Sequence, residues 1–313
     1  MRLTDEQVKT YLDGQGVEGH LTQEVLSFRK IYPAAPEDTS RINVPEVLFQ
    51  GGAVLSQALS ALLEGENLLL SGAKATGKNV LCQTLSCVLD RPEFDVSLNI
   101  NSDSASMIGT DTFTDGQVRF RPGPICRCAE AGGIGVLDEI NMAKNEAVSV
   151  LHATLDHRRS IDVPGYDRIT LHPAARFIGT MNYGYAGTRE LNEALVSRFM
   201  VIDMKPLEKD MIKGLFAGYF PDMTGEAIEQ FSGVFDDLQL KASNGEISTK
   251  SLDMRGFVAA IRTMKRGLAP LEAMRIGVIN KSFDIFEKEL IEDAVRTRIP
   301  SEWTRRDIFG AGK

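Results

Sequence analysis

The feature that most constrains the fold of this chain is a glycine-rich segment that runs from Gly72 to Asn79. The apolar run 67–71 comes directly before it, and the helical pattern 80–85 comes directly after it. A glycine-rich turn between a buried strand and a helix lets backbone N–H groups curl around phosphates, and its lysine reaches the terminal ones. The N-terminus of the following helix adds to anion binding. The segment therefore predicts a strand, a phosphate-binding loop and a helix.

Gly72, Gly77 and Lys78 match the pattern Gly-x-x-x-x-Gly-Lys-[Ser/Thr] in register. The alternative is a glycine-rich turn with a chance lysine, which does not account for the flanking strand and helix. We expect ATP to be bound along the whole segment. The predicted contacts are Gly72, Ala73, Lys74, Ala75, Thr76, Gly77, Lys78, Asn79 and Val80.

Asn79 stands where the pattern has a serine or threonine. The usual hydroxyl ligates magnesium, whereas asparagine offers a neutral carbonyl oxygen on a side chain one atom longer. We expect Mg²⁺ to be held by Asn79 directly, through a water, or less tightly. ATP binding should survive this exchange, so the hydrolysis rate is the property that it puts in question.

Five short apolar runs, separated by longer amphipathic segments, predict a parallel α/β sheet between helices. These runs are 67–71, 94–100, 134–138, 176–182 and 200–204. Beyond Leu207 the segments 223–240, 251–266 and 269–296 carry apolar residues at helical spacing, which predicts a smaller all-α domain, the lid. We therefore expect an N-terminal helical extension with a Pro-rich connector (1–43), a large α/β ATPase subdomain (44–206) and the helical lid (207–313).

Two acidic residues, Asp138 and Glu139, end the predicted third strand about 60 residues after the loop. In a nucleotide site the first acid is placed to hold the magnesium and the second to polarise the attacking water as a base. A solvated helix N-cap is the alternative. Because open parallel sheets bind ligands at the carboxyl ends of their strands, we expect both acids near the phosphate loop.

Three further polar residues fit such a site. Asn182 ends the predicted fourth strand and is expected to orient the lytic water, although a turn-forming asparagine is the alternative. Arg198 ends the predicted helix 191–199 and is expected to reach a neighbouring subunit's nucleotide, the alternative being a local salt bridge with Glu193 or Glu190. Arg255, in the lid, is expected to report nucleotide state, but arginine is also common at helix ends.

Composition narrows the class of protein. The net charge of −8 does not favour sequence-independent binding to the phosphate backbone of nucleic acids, so a DNA-directed motor is the less favoured interpretation. The chain has no apolar run of about 18 residues and a polar N-terminus, which predicts a cytoplasmic protein without a membrane span. The spacing Cys126-x-Cys128 does not match a zinc site, and free thiols are expected.

Together these motifs resemble the AAA+ ATPases, specifically the MoxR branch of the dynein-related AAA subfamily, and within it the CbbQ/NirQ/NorQ group. The resemblance covers about residues 43–270. Three stretches carry it beyond the nucleotide motifs, and Arg255 falls in register with the family's sensor-2 arginine, twelve residues before Gly267. The stretches are 120–125 after an insertion at about 101–119, the predicted hairpin 155–163, and 181–185 with 191–199.

The resemblance implies a hexameric homo-oligomeric ring that hydrolyses ATP with Mg²⁺. It also implies a chaperone-like role in which the ring remodels or activates a target complex, often together with a von Willebrand factor A partner. Two departures from the family pattern are Asn79 and Ser197, which stands where an acid is frequent. A nucleotide-switched assembly scaffold with weak or no hydrolysis is the alternative that Asn79 leaves open.

Overall fold

A computed structural model of the chain describes residues 2–183 and 190–310. The described chain divides into two compact units. The first comprises the described residues up to Ala73 together with Gly77–Met204, and the second comprises Lys74–Thr76 and the described residues from Lys205 onward.

The first unit is built on a five-stranded parallel sheet with the spatial order β2-β5-β8-β1-β9. Two small antiparallel hairpins, β3–β4 and β6–β7, lie outside this sheet. The strands are β1 Leu68–Gly72, β2 Glu93–Ser97, β3 Gly109–Thr114, β4 Gln117–Pro122, β5 Ile134–Asp138, β6 Ser160–Ile161, β7 Ile169–Thr170, β8 Arg176–Met181 and β9 Met200–Met204. The predicted five-stranded sheet is confirmed, with β2 shifted to begin one residue earlier and to end at Ser97.

The burial of each strand follows from its place in the sheet. The central strands β1, β5 and β8 are buried along almost their whole length, whereas the edge strands β2 and β9 alternate or are half exposed. Helices cover both faces of a parallel sheet, so central strands need continuous apolar sequence and edge strands do not. This is why 67–71 and 134–138 are the plainest strand signals in the sequence.

Nine helices are described in the first unit. They are α1 Asp5–Gly14, α2 Gly19–Ile31, α3 Gly52–Glu64, α4 Lys78–Leu89, α5 Ser104–Ile108, α6 Pro124–Ala131, α7 Asn145–Val148, α8 His152–Leu155 and α9 Glu193–Val196. The two N-terminal helices contribute Val8, Leu12 and Val25 to the same apolar core as α3 and α4. Arg29 of α2 also donates to the carbonyls of Cys87 and Val88, which caps the C-terminal end of α4.

The hairpin β3–β4 occupies the predicted insertion, but its strands are not evident in the sequence. Its turn uses Asp115 and Gly116, which both have positive φ (54° and 75°), as two-residue hairpin turns require. Most side chains of both strands are exposed, so no buried face imposes an apolar period on the sequence.

The second unit is helical, as predicted. Its helices are α10 Lys209–Tyr219, α11 Gly225–Ser243, α12 Met254–Lys265, α13 Pro270–Gly277, α14 Ile285–Arg298 and α15 Arg305–Phe309. The apolar pattern 269–296 is not one helix: α13 ends at Gly277, and α14 begins after the N-cap Asp284, whose side chain accepts from the N–H of Glu287. Gly277 lies so close to Gly256 of α12 that an added Cβ would come within 2.7 Å of the Gly256 oxygen.

All four cysteines are buried free thiols. In the described ranges, no helix combines the length and the apolar character that a membrane crossing demands.

Candidate nucleotide site

The predicted phosphate loop leaves the carboxyl end of β1, next to β9. At Gly72 an added Cβ would lie 2.5 Å from the backbone oxygen of Met204, so no side chain fits at this strand end. Gly77 has φ +87°, a left-handed conformation that glycine adopts without steric cost, and α4 begins at the next residue. The two glycines therefore permit the sharp connection from strand to helix.

Lys78, the first residue of α4, is buried and points its ammonium back into this connection. Its Nζ donates to the carbonyl oxygens of Gly72 (2.8 Å) and Ala73 (2.7 Å). Burial lowers the pKa of Lys78 to about 8, and the nearby carboxylates of Asp138 and Glu139 act in the opposite direction. A phosphate oxygen that took the place of one of these carbonyls would be an anionic acceptor, which makes the stronger hydrogen bond to an ammonium.

Asp138 is held by a residue that the sequence analysis did not single out, Thr180. Strands β5 and β8 are neighbours, and Leu137 is aligned with Gly179, so the next residues of the two strands lie side by side. The Thr180 hydroxyl donates to Asp138 Oδ1 (2.6 Å) and accepts from the backbone N–H of Glu139 (3.1 Å). Thr180 is only 1% exposed, so this buried hydroxyl orients both acids. The feature of the sequence that could have indicated Thr180 was a hydroxyl residue two positions before Asn182, on the same predicted strand.

Asn79 lies on the other side of the Asp138 carboxylate. Its Nδ2 donates to Asp138 Oδ2 at 3.4 Å. A carboxylate and an amide carbonyl are both oxygen ligands of the kind that Mg²⁺ prefers, so the donor set fits this ion. In this structure the amide nitrogen, not its oxygen, faces Asp138, so Asp138 is the better-placed ligand and Asn79 would have to turn its amide over.

Glu139 and Asn182 also meet here. Asn182 Nδ2 donates to Glu139 Oε1 (3.3 Å), while the Asn182 carbonyl accepts from Asn141 Nδ2 (2.8 Å). Glu139 is exposed, has φ +55°, and begins the 3-10 turn Ile140–Met142 without making a side-chain cap bond. The side chain is therefore turned toward solvent beside an amide, an arrangement that suits a base acting on a water.

Arg198 does not lie in this cluster. It precedes β9, whose first residue Met200 is aligned with Leu68, whereas the loop follows Gly72. The start of β9 and the start of the loop are therefore four strand residues apart, which corresponds to about 13 Å along the sheet. The predicted helix 191–199 is reduced to the four residues of α9. Arg198 forms an ion pair with Asp156 (3.4 Å), whereas the alternative interpretation had named Glu193 or Glu190 as its partner.

Arg255 is exposed on the second residue of α12, in the helical unit, and its backbone N–H is capped by Asp253 Oδ1 (3.0 Å). Its role as a nucleotide sensor stays a prediction. The part of the family resemblance that falls on Gly184 and Tyr185 lies outside the described residues.

Comparison with known proteins agrees with this fold. The family model of the AAA domain, dynein-related subfamily, matches residues 67–199. The uncharacterized protein YojN of Bacillus subtilis is 29% identical over 283 residues, which span 88% of this chain and 92% of that protein. The uncharacterized protein SAB1265c of Staphylococcus aureus is 33% identical over 237 residues, which span 74% of this chain and 89% of that protein.

A solved structure of a proposed ATPase from Cytophaga hutchinsonii has a TM-score of 0.45 at 18% identity, over 62% of this chain and 56% of that one. A likeness at that level carries no argument about function. The phosphate loop, the acids aligned on β5 and the family match to residues 67–199 all point to one family. The chain belongs, with these bacterial relatives, to the AAA ATPase family, and its α/β core is an AAA domain of the dynein-related subfamily.

Proposed function

We propose that this chain binds ATP with Mg²⁺ and hydrolyses it as a MoxR-type AAA+ motor that remodels or activates a partner protein complex. The observation that carries the proposal is the convergence of one cation, two acids and two amides at the carboxyl ends of β1, β5 and β8. These residues are Lys78, Asn79, Asp138, Glu139 and Asn182, and each of the last four is hydrogen-bonded to another member of the set.

Each side chain of the cluster has a role that its contacts support. Lys78 exchanges its carbonyl acceptors for oxygens of the terminal phosphates. Asp138, fixed by Thr180, would hold the magnesium, which would supply positive charge against the phosphates. Glu139 accepts the proton of the attacking water, and Asn182 holds the Glu139 carboxylate in place by its amide.

A complete site requires a second copy of the chain. Arg198 lies about 13 Å along the strands from the level of its own phosphate loop, so its guanidinium is directed to another subunit's nucleotide. Head-to-tail contacts of this kind close into rings, and the family resemblance implies six subunits. It also implies that Arg255 couples nucleotide state to lid movement and that a von Willebrand factor A protein links the ring to its target.

The test is ATPase activity of the purified chain as a function of its concentration. A site shared between subunits predicts specific activity that rises with concentration across the assembly range. The variant Glu139→Gln, which keeps the shape of the side chain but not its basicity, should bind ATP and lose turnover by about 10²-fold or more. Activity strictly proportional to concentration, or an unaffected Glu139→Gln variant, would contradict the proposal.

Asn79 favours a second candidate, a nucleotide-switched assembly scaffold. Its amide nitrogen donates to the carboxylate that would hold the magnesium, a contact that competes with metal binding. In a scaffold, ATP binding alone would drive assembly. Glu139→Gln separates the two candidates, because it should abolish remodelling of the target by a motor and leave a scaffold's function largely intact.

A further inference from the structure

Two arginines share one carboxylate at the amino ends of the strands. Asp156 Oδ2 accepts from Nη2 of Arg158 at 2.7 Å and from Nη2 of Arg198 at 3.4 Å, and Arg158 Nε adds a bond to Asp156 Oδ1 at 3.0 Å. Hydrogen bonds from Arg158, with a smaller one from Arg198, hold the pKa of Asp156 well below its ordinary value. The three side chains, which we call the arginine cluster, therefore sum to one positive charge.

The buried side chain of Asn67 fixes where the arginine cluster lies. Asn67 directly precedes β1 and is 5% exposed. Its Nδ2 donates to the carbonyl of Leu155 (3.1 Å), the residue before Asp156. Its backbone carbonyl accepts from the N–H of Met200 (2.8 Å), two residues after Arg198. One residue thus anchors both arginine-bearing segments to the end of the sheet opposite the phosphate loop.

The two arginines differ in how many of their N–H groups are occupied. Arg198 is 23% exposed, and Nε, Nη1 and Nη2 donate to His152 O, Ala194 O and Asp156 respectively. Arg158 is 53% exposed, and its Nε and Nη2 donate to Asp156. Of the two, Arg158 presents more of its planar guanidinium to an incoming anion.

An ordinary surface ion pair on the same segment provides the contrast. Arg168 Nε pairs with Asp162 Oδ1 at 2.7 Å, with both side chains about two-thirds exposed. One arginine meets one carboxylate there, so charge is balanced, and exposed pairs of this type contribute little. The arginine cluster has two guanidinium groups for one carboxylate. Arg158 lies beside Arg198, the residue that we propose contacts the nucleotide of a neighbouring subunit.

We propose that Arg158 is a second trans-acting arginine: together with Arg198 it contacts phosphate oxygens of the nucleotide bound by a neighbouring copy, and Asp156 positions both. This inference rests on the proposed function, since it assigns a further residue to the same shared site. Phosphate oxygens replace Asp156 as acceptors for part of the fork, because arginine binds phosphate in the same bidentate manner as carboxylate. Arg158 lies beside Arg198, because both bind Asp156. The strand separation that keeps Arg198 away from the phosphate loop of the same chain therefore applies to Arg158 as well.

The first experiment compares Arg158→Ala with the matched control Arg168→Ala in the full-length chain. We expect Arg158→Ala to lower kcat about 10²-fold or more, approaching the 10³–10⁵ of a single catalytic arginine, with binding of a fluorescent ATP analogue unchanged. Arg168→Ala should stay within about twofold of the wild type. Asp156→Asn should lower kcat with little change in KM. Equal activities of the Arg158→Ala and Arg168→Ala variants would overturn the inference.

The second experiment asks whether Arg158 acts in trans. Arg158→Ala lacks the arginine but keeps Glu139, whereas Glu139→Gln lacks the base but keeps Arg158. At some interfaces of a mixed assembly, a subunit with intact Glu139 meets a subunit with intact Arg158. We therefore expect the mixture to be more active than the sum of the two separate variants. A mixture with no such gain would show that Arg158 acts within its own subunit or only on folding, and would overturn the proposal.

A third readout does not depend on hydrolysis, and so separates this inference from the proposed function. Sedimentation velocity of Glu139→Gln with and without ATP measures nucleotide-dependent assembly. Adding Arg158→Ala should weaken that assembly, while adding Arg168→Ala should not. If the wild type proved unable to hydrolyse ATP, the motor proposal would fail, and this comparison would still decide the role of Arg158: equal assembly of the two double variants would overturn it.

Discussion

The two ends of the central sheet carry opposite chemistry. At the carboxyl ends, two acids and two amides lie at the same strand ends as Lys78, and the buried hydroxyl of Thr180 orients the acids. At the amino ends, two arginines share Asp156, and Asn67 anchors their segments through its buried side-chain amide and its backbone carbonyl. If both clusters act on one nucleotide, they must come from different copies, because about 13 Å of strand separates them within one chain. On the proposed function, a single fold carries two halves of a site that only assembly joins.

Removal of Arg198 is expected to have the largest effect on the proposed shared site. We expect Arg198→Ala to lower kcat about 10³-fold or more while ATP binding is largely kept, since an arginine finger stabilises charge that develops in the transition state. Steady-state ATPase assays and equilibrium titration with a fluorescent ATP analogue measure the two quantities. No recovery of activity when Arg198→Ala is mixed with Glu139→Gln would place Arg198 in its own subunit's site and contradict the separation of the two ends.

Removing the anchor at the amino ends tests whether it holds the arginine cluster. Asn67→Ala leaves the carbonyl of Leu155 and the N–H of Phe177 without their side-chain partner. We expect unfolding free energy to fall by about 2–3 kcal/mol, since an unpaired buried polar group costs about 1–3 kcal/mol. Urea denaturation followed by circular dichroism measures this loss. Stability equal to that of the wild type would show that Asn67 is not the anchor.

Thr180 is the matching test at the carboxyl ends. Thr180→Val keeps the shape of the side chain but removes the hydroxyl that Asp138 and the Glu139 N–H share. We expect stability to fall by about 1–3 kcal/mol and kcat about tenfold, with half-saturating Mg²⁺ raised, because Asp138 loses its orienting bond. The control Thr180→Ser retains the hydroxyl and should restore most of the activity. If the valine variant responded to Mg²⁺ as the wild type does, Thr180 would have no part in holding Asp138.

The depressed pKa of Lys78 predicts how binding depends on pH. Its value of about 8 means that the ammonium of the free protein loses its proton as pH rises through 8. Phosphates require the charged form, so ATP affinity should fall between pH 7.5 and 9, by at most about tenfold for each pH unit above the pKa. Titrations at constant ionic strength measure this. Lys78→Arg, which stays protonated throughout, should remove the pH dependence even if it binds less tightly.

The smallest expected effect concerns Asn79. Asn79→Thr removes the amide that donates to Asp138 and restores the hydroxyl of the usual pattern. We expect half-saturating Mg²⁺ to fall and kcat to rise by a few-fold, an effect of about 1 kcal/mol or less. Turnover measured across a magnesium titration reads both. A lower kcat in the threonine variant would mean that the Asn79 carbonyl is itself a needed ligand in this chain.

The strand interiors were predictable because their physical cause is local. A strand buried on both faces must be apolar along its length, so the runs 67–71 and 134–138 can be recognised as strands from the sequence. Polar residues that follow such strands lie at the carboxyl edge of the sheet. Lys78, Asp138, Glu139 and Asn182 were located in this way. The hairpin β3–β4, the break between α13 and α14, and the short α9 escaped prediction, because exposed strands and helix ends leave no apolar period to detect.

The sequence by itself determined the phosphate loop, the order of the strands along the chain and the acids that follow the third of the five sheet strands, since each depends on neighbouring residues and on an apolar period. The pairing of the strands is visible only in the fold, and with it the long-range partners of the polar side chains at the strand ends. Thr180 meets Asp138 because β8 pairs with β5, and Arg198 meets Asp156 rather than Glu193 because Asn67 draws two distant segments to the same strand end. Hydrogen bonds of this kind join residues about 40 positions apart, and no local pattern encodes them.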